Sequence, residues 1–272
     1  MAQFRVGADI GGTFTDIVFL GPDGELHTKK ISSSVSNYAK AIADGLSDVF
    51  KEERLSGDDV SEILHGTTVA SNAILELKGA KTGLITTKGF RDVLEIRNLR
   101  MPRLYDMAWV KPPTLVERYL RVVVPERINV RGAVRQPLDP DEAERAVDQL
   151  LKENVEAIAV CLLNSFANPE HEILIRDIVH RRSPETLCCI SYDVLPEIKE
   201  YERTSTTVIN SYVMPIVARY LDSLRQDLDR KHQPGQPDRT APSAVSPPTP
   251  VSSHAKPRPA NGEVACATIV CF

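Results

Sequence analysis

The sequence predicts an α/β fold that opens with a β-meander, on three observations. β-rich runs at residues 4–10 and 15–20 flank Gly11-Gly12, and the turn residues Gly21-Pro22-Asp23-Gly24 lead into a third run at 26–31. Strand-like and helix-like patterns then alternate from residue 63 to residue 192. The composition breaks near Asp229: eight of the chain's nineteen prolines fall between Pro234 and Pro259, among Ser, Ala, Gln and Lys. Such a stretch buries too little apolar surface to offset its ordering entropy. The expected organisation is therefore a folded region, 1–228, and a proline-rich disordered tail, 229–272.

Within the folded region, residues 37–50 place Ala39, Ile42, Ala43, Leu46, Val49 and Phe50 on one stripe, which predicts an amphipathic helix over the sheet. A short strand at 63–66, a helix at 68–77, a strand at 81–86 and a short helix at 91–96 follow. Residues 101–125 are interrupted by prolines and carry the one tryptophan, Trp109, so they are assigned an irregular connection. Asp139-Pro140-Asp141-Glu142 then supplies an N-cap, a proline at the first helical position and the Glu of a capping box. A central strand at 155–163, a helix from Asn168-Pro169 to His180 and a strand at 187–192 make successive β-α units, which favour parallel pairing. Residues 203–228 hold helical register, with a kink expected at Pro215.

With 42% hydrophobic and 26% charged residues the chain has material for one substantial core or two small ones. A net charge of -4 and 6% aromatics give no basic, stacking surface, so no nucleic-acid partner is expected. The amino terminus lacks a secretory pattern, and the longest apolar run, residues 157–163, is far too short to span a bilayer. A cytoplasmic protein with no membrane partner is expected. The five cysteines form no C-x-x-C pair and the six histidines are scattered, so ordinary thiols are expected and no metal cluster.

The chemistry concentrates at Asp9-Ile10-Gly11-Gly12-Thr13-Phe14-Thr15-Asp16. Paired glycines turn the backbone tightly and let its N–H groups reach phosphate oxygens that a Cβ would obstruct. Thr13 and Thr15 add hydroxyls, expected on one face, and Asp9 suits Mg²⁺ held through water. The parts fit a nucleotide phosphate, although a Gly-Gly hairpin is also an ordinary turn. His65-Gly66-Thr67-Thr68 follows a strand and opens a helix; Thr67 and Thr68 suit either an anion or a plain N-cap, and His65 either acid-base work or a structural role. Thr86-Thr87-Lys88-Gly89 repeats the arrangement and is read as a capped turn. Glu200 to Thr207 reads first as a helix start decorated with acids, and second as groups that orient a substrate.

Residues 9–16 resemble the first phosphate motif of the actin, sugar-kinase and Hsp70 superfamily, and their wording, DIGGTFTD, resembles the hydantoinase A/5-oxoprolinase family. HGTTVASNAILE at 65–76, GLITTKGFRDVLEI at 83–96 and EYERTSTTVIN at 200–210 are similar to the same family, so the likeness runs through most of residues 5–228. The resemblance implies a ribonuclease-H-like, actin-like ATPase lobe that uses ATP and Mg²⁺ to hydrolyse cyclic amides, with Asp9 and His65 as catalytic candidates. Asp9, Gly11, Gly12, Thr13, Thr15, Thr67 and Thr68 are the candidates for nucleotide contact. It also implies a complementary subunit or a homo-oligomer. Two other readings stand beside it: part of an acetone carboxylase-like enzyme acting on a ketone, and a non-catalytic remnant that binds a partner. After Gly132 the only glycines are Gly235 and Gly262, so a second phosphate hairpin is missing. The chain is expected to be truncated and inactive alone.

Overall fold

The computed structural model describes residues 4–11, 14–32, 45, 47–48, 50–52, 59–98, 106–232 and 268–270. They form two compact units: Met1–Ala73 with Val217–Phe272, and Ile74–Ile216.

The first unit is built on the expected meander. β1 (Phe4–Ile10), β2 (Phe14–Leu20) and β3 (Leu26–Ser32) pair antiparallel, and β4 (Val60–Thr67) lies parallel to β1 on its other side. The Gly24 turn between β2 and β3 has φ +83°, a conformation that selects glycine, which is why the predicted turn sits where it does. Alternation sorts the faces: Val6, Ala8, Ile10, Ile17 and Phe19 are buried together with Tyr220, while Phe50, Ile63, Leu221 and Leu224 pack against them. Of the helix expected at 37–50, residues 45, 47, 48 and 50 are described and are helical, as are 51 and 52; the others lie outside the described residues.

Several boundaries are corrected. β4 runs from Val60, not residue 63, because β1 offers a partner along its whole length and stabilises the polar Ser61-Glu62 end. The following helix, α1 (Val69–Leu75), is shorter than expected. The tail is not wholly without structure: β11 (Thr268–Val270) pairs parallel to Leu64, His65 and Gly66 on the free edge of β4, which offers it unpaired backbone groups. The sheet order is β11-β4-β1-β2-β3. The remainder of the tail, 233–267 and 271–272, lies outside the described residues.

The second unit is a parallel sheet in the order β10-β9-β5-β6. Its strands are β5 (Thr82–Thr87), β6 (Arg121–Val124), β9 (Ala157–Cys161) and β10 (Leu187–Ile190). β6 lies inside the stretch assigned to an irregular connection; its β-branched run pairs with β5 and buries Val122 and Val124, and the flanking prolines had masked it. A small pair, β7 (Arg127–Ile128) and β8 (Val134–Gln136), follows. The short α2 (Val93–Ile96) precedes β6.

α3 (Pro140–Lys152) starts as read: Asp139 accepts a hydrogen bond from the Asp141 N–H at 3.0 Å, with Pro140 at the first position. Glu142 pairs with Arg145. α4 (Glu170–Arg182) begins with the Asn168 carboxamide oxygen accepting from the Glu170 N–H at 3.1 Å. After α5 (Ser191–Val194), the long α6 (Glu200–His232) runs straight through residue 229 as a helix and carries Pro215 inside it. Leu84, Ile85, Val147, Leu150, Ile158, Val160, Ile175 and Val179 form the core. The α/β reading and the parallel β-α units are therefore observed.

Candidate functional site

The β1-β2 register sets Asp9 opposite Asp16, and the β1-β4 register sets Asp9 beside Gly66. Directly paired residues share a face, so the two carboxylates project together on the exposed side of the sheet. Asp9 is exposed, and Asp16 has Lys30 at 3.2 Å. A Cβ on Gly66 would come within 3.2 Å of Asp9 Oδ1, so glycine keeps room beside that carboxylate. The Gly11 N–H donates to the Phe14 carbonyl at 2.9 Å and closes the hairpin, leaving Gly12 and Thr13 between them; those two lie outside the described residues.

The threonines separate. Thr15, opposite Ile10, is fully buried on the face of Ile17 and Phe19, away from the face of Asp9; the expectation that it shares a face with Thr13 involves a residue outside the described ones. Thr67 is 8% exposed and its hydroxyl accepts from the Val69 N–H at 3.2 Å, capping α1. Thr68 is exposed; its N–H donates to the Ile10 carbonyl at 3.3 Å, which puts it against the end of β1 where Gly11 begins.

His65 is 4% exposed. Its Nδ1 lies 3.1 Å from the Ala8 carbonyl, which can only accept, so Nδ1 carries the proton and Nε2 accepts from the Tyr220 hydroxyl. Burial holds its pKa below the ordinary value of 6.5, against the opposing pull of the Ala8 carbonyl and Asp9. Burial likewise pushes the Tyr220 phenol up. His65 and Tyr220 together join β4 to α6.

The Thr86-Thr87-Lys88-Gly89 turn serves the second unit's interior. Thr87 donates to Glu126 and accepts from the Leu163 N–H at 2.9 Å, and His171 Nδ1 donates to Glu126 at 2.9 Å. Among the described residues no group of three or more His, Cys, Asp and Glu side chains is placed to hold a metal, and no helix is long and apolar enough to cross a membrane.

Asp16 was within reach of sequence reasoning, because runs that end at residue 10 and resume at residue 15 pair Ile10 with Thr15 and so Asp9 with Asp16. Tyr220 was not: it lies 155 residues from its partner His65, with no pattern linking them.

The chain has counterparts among known proteins. Residues 5–183 match the family model for the hydantoinase/oxoprolinase N-terminal region. The chain belongs to that family. The caprolactamase subunit alpha of Pseudomonas jessenii is 35% identical over 82% of this chain and 33% of its own length. Its solved structure, the ATP-dependent caprolactamase, superposes with a TM-score of 0.77 at 33% identity, covering 86% of this chain and 34% of that one. A nucleotide-free acetone carboxylase structure gives a TM-score of 0.76 at 27% identity, with 85% and 35% covered. 5-oxoprolinase 1 of Arabidopsis thaliana is 28% identical over 84% of this chain and 20% of its own. This member of the hydantoinase/oxoprolinase family thus spans about a third or less of the length of these relatives.

Proposed function

We propose that this chain is the ATP-phosphate-binding amino-terminal part of an ATP-dependent cyclic amide hydrolase, its first unit a ribonuclease-H-like lobe of the actin-like ATPase class. The sheet order β3-β2-β1-β4, an antiparallel meander followed by a parallel strand, supports that lobe assignment. The observation that carries the reading is the exposed Asp9-Asp16 pair beside Gly66, at the base of a glycine hairpin. Like charges set directly opposite repel; Lys30, 3.2 Å from Asp16, offsets part of that repulsion, and a hydrated Mg²⁺ relieves the rest.

In this reading the main-chain N–H groups of Gly12 and Thr13 hold phosphate oxygens, Gly11, whose own N–H closes the hairpin, lets the backbone turn tightly, the Thr68 hydroxyl lies beside them, and Asp9 and Asp16 hold Mg²⁺ through water. Thr15 and Thr67 contribute by fixing the strand and helix that carry these groups. His65, neutral and engaged at both nitrogens, positions β4 and does not move a proton. When bound, ATP supplies a phosphoryl group that activates a ring carbonyl of the substrate toward water.

A single lobe leaves phosphoryl transfer without charge stabilisation from several sides, so the chain alone turns ATP over poorly and works with a complementary subunit or a further copy. The match to acetone carboxylase favours a second reading, with the same nucleotide face activating a ketone for carboxylation. Assaying lactams against ketones with a reconstituted complement separates the two. The placement is cytoplasmic.

Calorimetry of Mg-ATP with wild type and Gly12→Val tests the nucleotide reading. Weak binding that falls at least about tenfold in the variant is expected, because a branched side chain blocks close phosphate approach. Equal binding by both, or none by either, removes it.

A further inference from the structure

The second unit's sheet has a topological break of its own. β5 continues to β6 on one side, and β9 continues to β10 on the other, so the connections leaving the adjacent strands β5 and β9 diverge. In open parallel sheets the crevice beyond the carboxyl ends of such a pair is where ligands settle. A small cleft stands at that place, lined by Thr86 from β5, Cys161 and Leu163 from the end of β9, and Glu200, Arg203 and Thr204 from the first turns of α6.

Arg203 is 1% exposed, and its guanidinium carbon lies 5.8 Å from the centre of the Phe166 ring. Its Nη1 donates to the hydroxyls of Ser165 and, at 3.2 Å, Ser191. Ser191 donates in turn to Glu172 at 2.6 Å, and that buried carboxylate also accepts the N–H groups of Leu162 at 2.8 Å and Tyr192 at 3.0 Å. The guanidinium is thus fixed through hydroxyls; among the described residues no carboxylate pairs with it and its Nε–H has no hydrogen-bond partner. A guanidinium keeps its charge at any ordinary pH, so a buried N–H left unpaired on it is a standing demand for an acceptor, best a negative one.

We propose that this cleft binds the carboxylate group of a small molecule, one oxygen accepting from the Arg203 Nε–H. Thr204 and Cys161 line the same cleft; their hydroxyl and thiol share a hydrogen bond at 3.1 Å, which leaves one hydrogen of the pair to donate to the ligand. Burial pushes the Cys161 thiol up, so it keeps its proton. The positive end of the α6 dipole adds a favourable field. Glu200 carries like charge at the same cleft, and that makes it the discriminating residue: removing its charge should strengthen binding, whereas a purely structural Arg203 would leave it without effect.

The test is a titration of the full chain followed by the Arg203 Nε–Hε resonance, assigned through its own side-chain bonds. Acetate should give a saturable shift, acetamide and chloride none at the same concentrations, and Glu200→Gln should lower the acetate Kd about two- to fivefold. Arg203→Lys keeps the charge and loses the Nε–H; followed through the Thr204 backbone amide, which should track acetate in the wild type with the same Kd as the Nε–H, it should show no saturable shift. No acetate shift, a linear one, an equal response to acetamide or chloride, or an unchanged or raised Kd in Glu200→Gln would overturn the proposal.

Discussion

Asp9 projects outward because its neighbours Ala8 and Ile10 are committed to the core, and the strand's period of two leaves it no other side. His65 sits on the buried side of β4 for the same reason, and there its charge is what burial opposes. A folded pKa below 6.5 means the unfolded chain binds more protons just beneath that value, so stability falls as the pH is lowered from 6.5 toward the folded value. The slope should not exceed about 1.4 kcal/mol per pH unit, the limit for one proton. Urea titrations of wild type and His65→Gln from pH 7.5 to 5.5 check this: the dependence should shrink in the variant. Tyr220→Phe deletes the donor to His65 Nε2 and should cost about 1–2 kcal/mol in the first unit. An unchanged midpoint for that variant would mean that the hydrogen bond does not form.

At the scale of elements, the local signals that worked were turn and cap chemistry. Gly24 with its positive φ, Asp139-Pro140 and Asn168-Pro169 mark chain reversals and helix starts through bonds that span only a few residues, so they were legible. Replacing Asp139 with Ala should lower the second unit's stability by about 1 kcal/mol, read from denaturant midpoints. What was hidden depended on distant partners. β6 exists because β5 is beside it, and the polar end of β4 because β1 is beside it; neither follows from its own sequence. The site was legible to the same extent: the hairpin and Asp9 could be read, the pairing with Asp16 followed from the loop length, and the burial of Thr15 and the tie to Tyr220 required the fold. Glu172 belongs to this hidden class. It accepts three donors from β9's end and from α5, so Glu172→Gln, which turns an amide N–H₂ toward those donors, should destabilise the second unit by about 2–3 kcal/mol.

For the whole molecule, two cores are served by one chain and one long helix: Val208 is buried in the second unit and Tyr220 in the first, both from α6. The family membership extends over both units, whereas the nucleotide reading rests on the first alone. That reading has a direct physical consequence. If Asp9 and Asp16 share a hydrated cation beside Gly66, then Mn²⁺ delivered with ATP must broaden the amide resonances of Asp9, Asp16 and Gly66 before any others, and excess Mg²⁺ must restore them. Broadening that is absent, or that appears first elsewhere in the chain, would contradict the assignment of this face to metal and phosphate.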